Sequence, residues 1–254
     1  MNIQVIGPKG MLGQAVFTAI ERLGHTHAQV ANFAPDITKI EGRDIRGEVV
    51  INCAGLVKQR AAPASEFMQV NAYGPQRLAE ACDTARARLI HVSTDCVFGG
   101  QWRGPHSERS SPSPDDIYSA SKLAGEVTRG RHLTVRTSFV GRAGKFGLVQ
   151  QLREQAGQTL SASRNALWSG DTVETVATAL VKLAETELTG LIHIPGQFQS
   201  RPQLIQRISE TLGLSITVEI TETPGRDRRL VSDRWGALNI ILPSFQEQLQ
   251  TWTL

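Results

Sequence analysis

The chain has 254 residues and 40% hydrophobic content, enough for one large globular unit with a substantial core and ill-suited to a disordered or membrane protein. Its 27 basic and 24 acidic residues leave a net charge of +3, too small and too scattered for a nucleic-acid footprint, while the excess of arginine over lysine suits an anionic ligand. Cys53, Cys82 and Cys96 form no C-x-x-C and the six histidines show no ligand spacing, so a disulfide framework and a metal centre are both disfavoured and a reduced, cytoplasmic protein is expected.

The first apolar run, Ile3-Gln4-Val5-Ile6, reads as a short strand, too short for a signal peptide. It enters Gly7-Pro8-Lys9-Gly10-Met11-Leu12-Gly13, which opens a helix with the apolar stripe Leu12, Val16, Ile20 and Leu23. Glycines between a strand and a helix allow a tight turn and bring backbone N–H groups to a pyrophosphate at the helix N-terminus, so a dinucleotide site is predicted. The second strand is expected to end between Ala28 and Phe33. An acidic residue there would bind a ribose hydroxyl, but Ala31 and Asn32 occupy the region; Lys9 could instead reach a 2′-phosphate, which favours NADP(H) over NAD(H). Asp36-Ile37 could hydrogen-bond an adenine amine or simply form a turn.

Val49 to Cys53 reads as a buried parallel strand ending in Ala54-Gly55, small residues over which a cofactor can lie. Lys58-Gln59-Arg60 then faces either a phosphate or solvent. A helix is predicted from about Ser65, with Phe67, Val70, Leu78 and Ala81 inward and Asn71 either on a neighbouring backbone or at the surface. Leu89 to Val92 forms the next strand and delivers Ser93-Thr94-Asp95 to the carboxyl edge of the sheet, where open α/β sheets bind ligands. Tyr118 and Lys122, four residues apart, share one helix face. An ammonium beside a phenol lowers the phenol pKa, and a Thr94 hydroxyl could hold the same substrate oxygen, so the three together suit proton transfer at a carbonyl oxygen during hydride transfer. Ser107 to Asp116 is a polar loop that could act as a lid.

In the second half, a helix is predicted over Gly144 to Gln155 with Phe146, Val149 and Leu152 inward. Another should run from an Asp171 N-cap through Glu185, with Val173, Val176, Ala177, Leu180, Leu183 and Ala184 as its stripe. Ser200-Arg201-Pro202 opens a helix that stops before Gly213, and Ile216 to Ile220 alternates like a half-exposed strand. Arg226, Arg228 and Arg229 face a nucleotide diphosphate or solvent.

The ordered set G-x-x-G-x-x-G, Asp-Ile, Asn-Cys-Ala-Gly, Val-Asn-Ala-x-Gly-Pro, Ser-Thr-Asp-x-Val-Phe, Tyr-x-x-x-Lys-Leu-x-Gly-Glu and Val-Arg-Thr-Ser-Phe-Val resembles the extended short-chain dehydrogenase/reductases, most of all their dTDP-4-dehydrorhamnose reductase branch. The likeness covers nearly the whole chain. It implies a Rossmann-type doubly wound α/β fold with a small C-terminal substrate-binding lobe: residues 1–140 mainly dinucleotide-binding, 141–254 mainly substrate-binding with the chain returning to the sheet. It further implies that Thr94 orients the carbonyl, Tyr118 gives the proton, and Lys122 binds the nicotinamide ribose and lowers the tyrosine pKa. Gly7, Gly10, Met11, Leu12 and Gly13 would surround the pyrophosphate, with Cys53, Ala54 and Gly55 flanking the cofactor.

Cys96 and Leu56 stand where the family often has Tyr, and Phe139 where it often has Trp. With Lys58, Cys96 and Phe139 are the substrate-side candidates. The expected activity is NAD(P)H-dependent reduction of the 4-keto group of a nucleotide-linked 4-keto-6-deoxy sugar, in deoxysugar or cell-surface polysaccharide biosynthesis. A C4 epimerase and a non-catalytic, cofactor-binding regulatory subunit stay open as alternatives, as does a homodimer; the expected partner is the nucleotide-sugar substrate, with neither nucleic acid nor membrane.

Overall fold

The computed structural model describes residues 1–27, 35–100 and 103–253. The expectation for Ala28 to Phe33 lies outside these described residues.

Strand β1 (Asn2–Ile6) leads through the glycine turn into α1 (Met11–Arg22), then β2 (Thr26–His27) and β3 (Val49–Asn52). The helical stretch that follows is α2 (Ala64–Phe67), a π-helical turn over Met68–Tyr73, and α3 (Gly74–Ala85). Next come β4 (Arg88–Thr94), a 3₁₀ turn over Asp95–Phe98, α4 (Ile117–Ala124), β5 (Leu133–Thr137) and β6 (Phe139–Val140). The chain continues with α5 (Leu148–Glu154), β7 (Thr159–Ser163), β8 (Leu167–Trp168), β9 (Asp171–Thr172), α6 (Val173–Ala184) and β10 (Gly190–His193). It ends with β11 (Gln199–Ser200), α7 (Arg201–Thr211), β12 (Thr217–Thr221) and α8 (Phe245–Gln250).

Six strands form one parallel sheet in the order β10-β5-β4-β3-β1-β2. The order reverses between β1 and β3, and that switch point opens a crevice at the carboxyl edge. Alternation along the strands separates two apolar layers. Ile3, Val5, Ile51, Ile90 and Val92 pack with Leu12, Val16 and Ile20 of α1 and with the α6 stripe, whereas Ile6, Val50 and Leu89 pack with Leu78, Ala79 and Cys82 of α3. Burying each large aliphatic side chain contributes about 1.5–3 kcal/mol, so these two layers hold the sheet between its helices. A third cluster joins Val149 and Leu152 of α5, Leu204, Ile205 and Ile208 of α7, and Phe245 and Leu249 of α8.

Three expectations need correction. Phe146 precedes α5 and is largely exposed, because Gly147 at φ +111° breaks the helix before Leu148. The N-cap of α6 is Thr172, which accepts from the Thr175 amide at 3.3 Å; Asp171 instead accepts from the Thr172 amide at 2.7 Å and lies buried, its carboxyl raised to about 6 by burial. The 107–116 loop is no free lid. His106 N donates to Arg229 O at 2.8 Å and Val231 N to His106 O at 2.9 Å, while Glu108 takes bonds from His193 N and Asp233 N.

Candidate active site

At the carboxyl edge, Gly7 adopts φ +79°, and a Cβ there would come within 2.6 Å of Ala54 N. A Cβ on Gly13 would reach 2.2 Å from Gly7 O, whereas Gly10 has room, its nearest neighbour being 3.5 Å away. Gly7 and Gly13 are therefore required for the turn to fold back under α1. Gly10 is the N-cap of α1 and supplies no capping side chain, so the first amides of the helix stay available to an anion. The cradle fits a dinucleotide pyrophosphate. Leu12 is in the core, so only its backbone can face that cradle, and Met11 lies against Gly141 and Gly144. Lys9 is exposed on the turn. Asp36 folds its carboxylate onto Thr38, accepting from N at 2.9 Å and Oγ1 at 2.8 Å, and Ile37 is a core residue against Gly74.

The end of β3 places Cys53, Ala54 and Gly55 beside this turn. The Cys53 thiol is pushed up to about 12 by burial, against the pull of Lys122, and stays protonated. Asn71 in the π-helical turn accepts from Leu56 N at 2.8 Å and donates to Leu56 O at 3.1 Å and to Ser121 Oγ at 3.2 Å. Of its two sequence readings, the backbone partner is the one the fold realises. The π turn, which sequence periodicity did not reveal, aims Asn71 at both loop and helix.

Thr94 ends β4, and Cys96 N donates to its Oγ1 at 3.1 Å. Tyr118 opens α4, whose N-cap Asp116 accepts from Ser119 N at 2.7 Å in a capping box. The Tyr118 phenol is pushed up, chiefly by burial and also by Cys96, Asp95 and Asp116; the Thr94 hydroxyl, within hydrogen-bond reach, opposes the rise. Lys122 Nζ donates to Val92 O at 2.7 Å, toward β4, and shares a helix face with Tyr118. In this structure burial is the largest influence on the phenol, which stays neutral. Burial also brings Lys122 down to about 8, with Glu126 and Cys53 opposing. Lys58 pairs with Asp116 at the start of α4. Replacing Asp116 by Ala is expected to cost about 1 kcal/mol, read as a lowered denaturant midpoint.

Cys96 is half-buried, its thiol raised to about 12 by burial and by Asp95. Phe139 is half-buried against the α1–α6 layer. Among the described residues no group of three metal-ligating side chains occurs, and no helix is long and apolar enough to cross a membrane.

A family model described as the RmlD substrate binding domain matches residues 1–222. The chain belongs to that family. It is 35% identical over 207 residues to the dTDP-4-dehydrorhamnose reductase of Mycobacterium tuberculosis (strain CDC 1551 / Oshkosh), a match covering 75% of this chain and 68% of that one. A crystal structure of dTDP-4-dehydrorhamnose reductase from Bacillus anthracis str. Ames in complex with NADP aligns with a TM-score of 0.81 at 24% identity, over 98% of this chain and 97% of that chain. MoeE5 in complex with UDP-glucuronic acid and NAD aligns with a TM-score of 0.78 at 20% identity, over 100% of both.

Beyond the span of the family match, a late segment walls the crevice. Arg226 pairs with Asp115, and Arg229 with Asp227 at 2.7 Å, which engages two of the three arginines flagged in the sequence. Arg228 is different. Its Nη1 donates to Cys96 Sγ at 3.2 Å, and the buried Asp95 faces it. Asp95 itself is raised by burial, with Arg228 opposing. Arg201, the first residue of α7, is lowered by burial and by Arg228 beside it. Sequence inspection missed Arg201, since a helix-start arginine looks like any solvated one.

Proposed function

We propose that this protein is an oxidoreductase that reduces the 4-keto group of a nucleotide-linked 4-keto-6-deoxy sugar with a nicotinamide cofactor, in deoxysugar or cell-surface polysaccharide biosynthesis. The observation that carries the reading is the neutral Tyr118 phenol beside the Thr94 hydroxyl at the carboxyl edge, next to a glycine cradle only a closely approaching backbone explains. When bound, the nicotinamide supplies hydride to the sugar C4. Thr94 holds the carbonyl oxygen by a hydrogen bond, and Tyr118 protonates it as negative charge develops. Lys122 takes the nicotinamide ribose.

Relatives named as dTDP-4-dehydrorhamnose reductases support the substrate class. In this reading Gly7, Gly10, Gly13 and the amides of Met11 and Leu12 hold the pyrophosphate, Cys53, Ala54 and Gly55 line the cofactor, and Cys96 and Phe139 meet the sugar. Lys9 on the turn supports NADP(H) over NAD(H). Residues 1–140 form the dinucleotide half and 141–254 the substrate lobe. We place the protein in the cytoplasm as a homodimer, a state that sedimentation velocity tests.

Arg228 faces the buried Asp95 and has Arg201 beside it, a concentration of positive charge that a substrate oxyanion would offset. Arg228→Gln is expected to raise the sugar-nucleotide KM about tenfold with unchanged NADPH affinity. The deciding experiment follows NADPH and NADH absorbance with purified protein and a panel of 4-keto-6-deoxy nucleotide sugars. Oxidation with one member supports the reading; conversion of the sugar without net oxidation replaces it with an epimerase, and cofactor binding with no conversion replaces it with a regulatory subunit.

A further inference from the structure

Three consecutive residues at the end of β4 each tie to something different. Val92 O receives the Lys122 ammonium at 2.7 Å, Ser93 Oγ donates to Glu126 Oε1 at 2.8 Å, and Thr94 stands beside Tyr118. Glu126 follows α4 by one residue after the Gly125 cap and lies four residues beyond Lys122. Its carboxylate is taken at both oxygens by Arg136 of β5, from Nε at 2.7 Å and Nη2 at 2.8 Å. Arg136 is the register partner of both Ser93 and His193, its Nη1 is 3.5 Å from His193 Nε2, and its guanidinium lies 5.2 Å from the Phe98 ring centroid. Side-chain exposure is 4% for Arg136 and 9% for Glu126, so the pair is buried and held from every side.

We propose that Glu126 is a positioning residue: clamped by Arg136, it fixes Ser93, and with it the Val92–Thr94 end of β4, against α4, and it supplies the negative charge that faces the Lys122 ammonium. The proposal rests on the reading of Lys122 as the cation that meets the cofactor.

The titratable groups that face Lys122 are Cys53, His91 and Glu126. On β3, Cys53 is protonated, its thiol raised to about 12 by burial. On β4, His91 is held well below its ordinary value by burial and by Lys122 itself, and is neutral. On its own helix, Tyr118 is neutral. Glu126 is the strongest influence opposing the burial that brings Lys122 down to about 8. Without that carboxylate the ammonium loses its proton at lower pH, and around neutrality a large share of the site holds a neutral amine. Ser93 sits between the acceptor of Lys122 and the residue that faces the substrate oxygen, so a small displacement there moves both.

The test titrates Lys122 directly in the cofactor-free protein. Lysine labelled with ¹³C at Cε gives six signals, one per lysine, and the one lost in Lys122→Met identifies Lys122. In the wild type its midpoint is expected near 8. Glu126→Gln should move it down by about one pH unit, and Glu126→Asp should restore most of it. Because Glu126→Gln leaves Arg136 buried and unpaired, Glu126→Gln/Arg136→Met is the second variant; it removes both charges and should show a smaller displacement in the same direction. Ser93→Ala keeps the ion pair, so it should leave the midpoint in place while lowering kcat about tenfold at unchanged NADPH affinity. An unmoved Lys122 midpoint in both charge-removing variants overturns the electrostatic role, and wild-type kcat in Ser93→Ala overturns the positioning of β4. A wild type that oxidises no cofactor with any 4-keto sugar defeats the functional reading instead, while the titration still judges Glu126.

Discussion

Tyr118→Phe is expected to lower NADPH oxidation by roughly 10²–10⁴-fold while leaving NADPH affinity close to that of the wild type. The substitution removes only the phenolic hydroxyl, so the half-buried ring keeps its packing and α4 keeps its cap on Asp116. The pH profile sharpens the test. Because the phenol is raised above its ordinary value, it is fully protonated through neutrality and imposes no limb there. Lys122 is depressed to about 8, so activity that depends on its ammonium is complete below that value and falls as pH rises through it. A site using tyrosinate as a base would show the opposite slope, with activity rising toward alkaline pH. Stopped-flow absorbance from pH 6 to 9.5 distinguishes the two, and full turnover in Tyr118→Phe would remove the phenol from the mechanism.

Gly125→Ala is expected to be strongly damaging for a single added methyl group. Gly125 caps α4 where it crosses the π-helical turn, and an added Cβ would lie 1.9 Å from Asn71 O, 3.0 Å from Asn71 C and 3.2 Å from Ala72 Cα. All three are backbone atoms, so no side chain can swing aside. Overpacking of this kind costs about 1–3 kcal/mol, and at this chain length the upper figure corresponds to a drop in Tm of roughly 6–12 °C. Relief of the clash must pass to Lys122 and Glu126 on one side of Gly125 or to the Asn71 clamp on Leu56 on the other, so kcat should fall with stability. Gly236→Ala is the control, since nothing lies within 4 Å of its Cβ position. Thermal unfolding and kcat measured on both variants decide it, and equal behaviour of the two would exclude the clash.

Periodic patterns were readable wherever one face of an element meets a single neighbour. Leu12, Val16 and Ile20 announce α1, the α6 stripe announces its packing on the sheet, and the apolar runs before Gly7, Cys53 and Thr94 give three adjacent strand ends. The spacing of Tyr118 and Lys122 gives their shared helix, but not their directions. Lys122 turns to Val92 O because β4 lies beneath α4, and nothing local to residues 118–122 encodes that. The same limit applies to Lys58 and Arg226, which looked available for a phosphate. Each is engaged by an aspartate, 58 and 111 positions away in sequence for Asp116 and Asp115, respectively. The π turn escaped detection because the apolar residues flanking it, Phe67 before and Leu78 and Ala81 after, fit a continuous helix well enough. Asp171 and Thr172 are both acceptable caps, and the choice between them depends on the pairing of β9 with β6.

The wall of the crevice built by residues 226–233 has a consequence for synthesis. A ribosome emits the strands β1 through β5 early, and their apolar layers can begin to close while later residues are still being added. The loop near His106, however, finds its partners Asp227, Arg229 and Val231 more than 120 positions downstream. Until they emerge, the nascent chain can carry a dinucleotide cradle without a finished sugar site. Cofactor occupying that cradle early would stabilise the half-built sheet by mass action, making the nicotinamide dinucleotide a folding aid before it is a reactant.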